Sequence, residues 1–68
     1  MKIFPNPFCN RLYIQGGRNG CRIYNVFGQK VFECNLSGGV MSIDTGKWTK
    51  GMYMIQLRQK AWKFVKIN

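Results

Sequence analysis

The sequence predicts an all-β chain, a small antiparallel sandwich of about six or seven short strands. Short runs rich in Ile, Val, Tyr and Phe recur along it, and such side chains suit a pleated, half-buried surface. Turn signals separate these runs roughly every eight to twelve residues. No helical period runs long enough to compete with this pattern.

The firmest local element is residues 21–36. Two β-prone runs, Cys21–Phe27 and Lys30–Leu36, flank the pair Gly28-Gln29. Gly opening a two-residue connection supplies the positive φ of a type II′ turn, so an antiparallel hairpin turning at Gly28 is expected.

Taken in order, Met1-Lys2-Ile3-Phe4 is too short for a signal peptide. No apolar stretch approaches the ~20 residues of a membrane helix. The chain is therefore not expected to direct its own export through an N-terminal signal. Pro5-Asn6-Pro7 fixes two φ angles, removes two donors and holds Asn6 extended or in a turn, so a stiff elbow leads into the domain. Arg11–Gln15 reads as a strand with Leu12 and Ile14 on one face, followed by a turn at Gly16–Gly20. Ser37-Gly38-Gly39 marks another turn and Val40–Asp44 the next strand. Thr45–Gly51 is a connection in which Trp48 plugs an end of the core. Met52–Gln59 carries the cleanest alternation, with Tyr53, Ile55 and Leu57 facing one way and Gln56 and Arg58 the other. A turn at Gln59-Lys60-Ala61 leads to the last strand, Trp62–Ile67. Both faces of that strand carry apolar residues, which leaves its buried side open.

Residues 1–68 read as one domain, since a chain of this length buries only ~60% of its unfolded surface. An apolar content of 46%, with ten aromatics, is enough for a core and argues against wholesale disorder. Eleven Lys and Arg against two acids give a net charge of +9. That charge favours encounter with anionic partners, but the cations are scattered from Lys2 to Lys66. They read first as a solvated surface that discourages edge pairing.

Cys9, Cys21 and Cys34 stand at no metal-ligand spacing. With no His and only Glu33 and Asp44 as acids, a zinc site would need a ligand from elsewhere, and no metal or cofactor is expected. Three buried thiols acting as small hydrophobes is the simpler reading, and one disulfide plus a free thiol stays open. The same shortage argues against an enzyme: no His is present, the two acids lie on different strands, and Ser37 and Ser42 have no base to activate them. Lys50–Leu57 shares Lys-Gly and a later aliphatic with the RNA-binding signature of RRM domains. The positions that stack bases there hold Met52 and Met54, which offer no π-face, so nucleic acid is not expected as a partner.

Five ordered blocks remain. They are Phe4-Pro5-Asn6-Pro7 with Leu12-Tyr13-Ile14; Arg22-Ile23-Tyr24-Asn25-Val26-Phe27-Gly28-Gln29-Lys30-Val31; Ser42-Ile43-Asp44; Lys50–Leu57; and Lys63-Phe64-Val65-Lys66-Ile67. In this order and spacing the chain closely resembles the type A C-terminal sorting domain of the type IX secretion system. The resemblance implies an immunoglobulin-like sandwich and a role as an address for attached cargo. It implies passage through the periplasm of a Gram-negative bacterium and delivery to the cell surface or medium. Its implied partners are an N-terminal cargo domain, the outer-membrane translocon and a sortase-like peptidase that removes the domain while joining the cargo to lipopolysaccharide.

Matched to the family pattern by position, Pro5, Asn6 and Pro7 form the opening motif and Gly28 the hairpin turn. Gly51 and Tyr53 form the Gly-x-Tyr strand, with Tyr53 also a core candidate. Lys63 and Lys66, in the basic last strand, are the candidates for translocon recognition, because a Lys head stays in water where a partner can meet it. Strand addition to an unpaired edge within Gly51–Asn68 is the other candidate mode. Immunoglobulin-like domains usually run to about 100 residues, so a strand supplied from upstream, or self-association, would complete the sandwich. Two other functions compatible with the sequence are a surface module for an anionic glycan or protein, and a small basic nucleic-acid binder.

Overall fold

A computed structural model describes residues 1–68 as seven strands and no helix. The strands are β1 (Lys2–Phe4), β2 (Arg11–Gln15), β3 (Arg18–Tyr24), β4 (Lys30–Ser37), β5 (Val40–Asp44), β6 (Gly51–Leu57) and β7 (Lys60–Lys66). They form two antiparallel sheets, ordered β1-β2-β5 and β4-β3-β6-β7.

Strand alternation sends one set of side chains from each sheet into the space between them. Leu12, Ile14 and Ile43 come from the smaller sheet, and Cys21, Ile23, Leu36, Tyr53, Ile55, Leu57 and Phe64 from the larger. Phe8, from the loop after β1, completes the core and is fully buried. Trp48, in the β5–β6 connection, closes one end of the sandwich. Its ring lies 5.1 Å from Tyr53 and meets Phe8 edge-on at 6.3 Å, geometries that aromatic quadrupoles favour.

β2 and β5 span the residues that the alternation predicts, and several other boundaries move. β1 was not foreseen: three residues carry too little pattern to read, and it exists because Lys2, Ile3 and Phe4 pair with Gln15, Ile14 and Tyr13. A first strand therefore lies within this chain. The turn at Gly16–Gly20 shrinks to Gly16-Gly17, because Arg18, Asn19 and Gly20 pair with Ser37, Leu36 and Asn35. Where the chain changes sheets, the two Gly-Gly links bond each other, Gly16 N–H to Gly39 O at 2.9 Å and Gly38 N–H to Gly17 O at 2.8 Å.

The central hairpin has a longer connection than two residues. Asn25 to Gln29 link β3 to β4, with Gly28 N–H donating to Asn25 O at 3.0 Å. Asn25 Oδ1 also accepts from the N–H groups of Phe27 and Gln29. The Asn side chain thus organises the turn, and Gly28 supplies the positive φ (79°) after it instead of opening a two-residue loop. Val26 and Phe27, read as the end of a strand, stand at the tip, 70% and 83% exposed. The β6–β7 turn falls at Arg58-Gln59, one residue earlier than expected, so Arg58 belongs to the turn and not to a strand face.

Phe8→Ala is expected to cost about 3–5 kcal/mol, as for other buried Phe residues, read as a lower urea midpoint. A loss under about 1 kcal/mol would mean that Phe8 does not help hold the sheets together.

Candidate recognition surface

The first and last motifs of the sequence meet in space. β7 lies at the edge of its sheet, where a strand exposes unpaired backbone groups. The Asn6 side chain covers part of that edge: Nδ2 donates to Lys63 O, and Oδ1 accepts from Val65 N–H, each at 3.2 Å. Phe8 continues the pairing in parallel, its N–H donating to Val65 O at 2.9 Å and its carbonyl accepting from Ile67 N–H at 3.0 Å. The Asn amide thus imitates one peptide group of an added strand. Pro5 and Pro7 flank it, both exposed and both following cis peptide bonds. The edge offered for strand addition is therefore closed from Lys63 to Ile67.

Gly51 opens β6 opposite Lys66 with a φ of 140°. A Cβ there would meet nothing within 4 Å, so the backbone angle, and not crowding, favours Gly. Tyr53 is buried against Trp48 and Phe8, and its hydroxyl donates to Thr49 O at 2.5 Å. It ties the β5–β6 connection to β6 from within the core.

The two candidate lysines separate. Lys63 is exposed on the outer face, opposite Met54. Lys66 is 2% exposed, and its ammonium donates to the Asn68 carbonyl. The expectation that both heads stand in water fails at Lys66. Pairing of Tyr53 with Phe64 puts Phe64 inside, and alternation then carries Lys66 to the same face.

Lys63 has apolar company. Met52, Met54 and Val65 are exposed on the same face, with Met52 opposite Val65 and Met54 opposite both Lys63 and Tyr24. A shallow depression of about 180 Å³ lies among Met52, Met54, Lys63, Asn25 and Val26, and Phe27, the next residue after Val26, is exposed at the hairpin tip. The Tyr53-Ile55-Leu57 alternation carries the alternate residues Met52 and Met54 to the outer face, and the Asn25-to-Gly28 turn exposes Val26 and Phe27. A larger depression, about 800 Å³, includes Arg18, Arg58, Lys60, Gln59 and Trp62 in its lining.

Both carboxylates are engaged. Glu33 accepts from Lys30 at 2.6 Å and Arg22 at 3.1 Å, and Asp44 accepts from Gly46 N–H at 3.0 Å. Lys30 first, then Arg22, holds the Glu33 carboxyl below its usual range. The other nine of the eleven cationic side chains have no carboxylate partner.

Fold and surface together define a small basic β-sandwich module with an apolar, lysine-bearing outer face. The family model of the secretion system C-terminal sorting domain matches residues 2–67, and the chain belongs to that family. It is a C-terminal sorting signal for type IX secretion, which exports attached cargo to the cell surface or extracellular space, and the family is not catalytic. No curated protein and no solved structure matches the chain.

Asn6→Ala is expected to speed hydrogen exchange at Val65 and to cost about 1 kcal/mol, the net worth of an ordinary hydrogen bond. Unchanged exchange would show that the Asn6 contacts protect nothing. Because its folded pKa is depressed, Glu33 contributes stability that is complete above the ordinary Glu value of about 4.3. That contribution is lost as pH falls from there through the folded value. Glu33→Gln should flatten this part of the acid-side decline in thermal midpoint, modestly because the pairs are exposed. An identical decline in the variant would mean that the pairs are energetically silent.

Proposed function

We propose that the secretion machinery reads this signal through the outer face of β6 and β7, together with the hairpin tip. The observation that carries this is the cluster of exposed Met52, Met54 and Val65 around the unpaired Lys63, with Val26 lining the same depression and Phe27 exposed next to it in the chain. Contiguous exposed apolar side chains mark interaction sites, and Met adapts to irregular partner surfaces. A lysine at the margin adds orientation and encounter rate more than affinity. Pro5, Asn6 and Pro7 act by holding β7 in place, and Gly28 by presenting the tip. Gly51 and Tyr53 set β6, and Lys66 supports β7 from inside.

In this reading the partner that docks is the outer-membrane translocon, reached by way of the periplasm of a Gram-negative cell. A sortase-like peptidase then acts where the domain joins its cargo. The domain itself is an address and not an enzyme. The sandwich is immunoglobulin-like, and two features support that. The orders β1-β2-β5 and β4-β3-β6-β7 follow strands A-B-E and C′-C-F-G of that architecture. Tyr53, near the start of the strand in the F position, bonds backbone four residues upstream, as the tyrosine corner of such domains does.

The test fuses residues 1–68 to the C-terminus of a reporter with an N-terminal export signal, in a host running type IX secretion. The intact domain is expected to carry the reporter out. Phe27→Ser, Met54→Ser and Lys63→Glu combined should cut secretion on the order of tenfold, equivalent to about 1.4 kcal/mol of docking, with the thermal midpoint preserved. Full secretion by that folded variant would move recognition to another surface.

A further inference from the structure

We propose that Cys21 and Cys34 form an intrachain disulfide in the exported domain, a covalent staple across the β3–β4 hairpin, while Cys9 remains a free thiol. The proposal rests on the chain being exported, since disulfides persist in oxidising compartments. Its geometry is independent of that reading.

Cys21 and Cys34 are direct partners in the antiparallel register of β3 and β4. Directly opposed residues send their side chains to the same face, with Cα atoms about 4.5–5.5 Å apart. A disulfide spans Cα separations of about 4.4–6.8 Å. Both side chains face the interior: Cys21 is fully buried, and Cys34 packs against the core with its thiol 3.2 Å from Met41 Sδ. Disulfide Cβ atoms prefer about 3.5–4.5 Å against the 4.5–5.5 Å of opposed residues, so closure draws the strands together by about 1 Å. β4 is an edge strand with β3 as its one sheet neighbour, and it can supply that movement. Cys9 lies in the loop before β2, outside any strand pairing, where its carbonyl accepts from the Thr45 hydroxyl.

The two thiols also sense each other. Burial first, and the neighbouring Cys34 second, pushes the Cys21 thiol up to about 12, and burial raises Cys34 as well. Such thiols are poor nucleophiles and react slowly unaided; joining them removes two electrons, so closure needs an oxidant, here the active-site disulfide of a thiol–disulfide oxidoreductase. The Cys34 thiolate, the less buried of the two, attacks that disulfide, forms a mixed disulfide and expels one oxidant thiolate. Cys21 loses its proton to solvent and attacks Cys34 Sγ, expelling the second thiolate. Two protein thiols are oxidised to one disulfide, and one oxidant disulfide is reduced to two thiols.

The test incubates the purified 68-residue chain with an oxidised thiol–disulfide oxidoreductase in a glutathione buffer, then alkylates and digests it with trypsin. The expected result is a fall from three free thiols to one and the loss of two hydrogen masses. The peptide spanning residues 19–22 should be joined to the one spanning 31–47. The thermal midpoint should rise by roughly 12–24 °C on oxidation, the range for a loop of this length in a domain of this size, and Cys34→Ala should abolish the rise. Persistence of three thiols, or a link through Cys9, overturns the proposal. Either result leaves the reporter fusion unaffected, so the pairing and the recognition face fail separately.

Discussion

The structure depends on how the outer edge of β7 is satisfied. A sandwich of this length has little buried surface to spare, and an open edge would leave a row of backbone donors and acceptors unpaired. Asn6 and Phe8 take up that row from Lys63 to Ile67, one with a side-chain amide and the other with its backbone. The same segment delivers the Phe8 ring to the core, where it meets Trp48 and Tyr53. Edge closure and core closure are therefore one event, and they join residues at the two ends of the chain.

That closure decides which surfaces are left for a partner. With the β7 edge occupied and Lys66 turned inward, the last strand offers its outer face. There Lys63 and Val65 stand beside Met52 and Met54. A side-chain face gives specificity that backbone pairing alone does not.

Charge plays a separate part. With Glu33 held by Lys30 and Arg22, and Asp44 bonded to the Gly46 amide, nearly all the positive charge is left to solvent and partners. Its scatter favours solubility and encounter without defining a site. On the proposed reading, the recognition face is set instead by where apolar side chains remain exposed.

The sequence by itself determined the strand class, the alternating core of β2 and β6, the ordered motifs and, through them, the family. These are local properties: period-2 patterning and turn residues act over a few neighbours. It could not place β1, because three residues hold no period, and it made the central turn too short because Asn25 bonds beyond its nearest neighbours. Tertiary structure alone decided the face of β7, where either alternation was apolar enough until pairing with β6 chose one and buried Lys66. It alone brought Asn6 to Lys63 and Val65, and Cys21 opposite Cys34. The physical reason is the same in each case: cross-strand register is fixed by the joint burial of two faces, and a chain read one segment at a time contains only half of each pair.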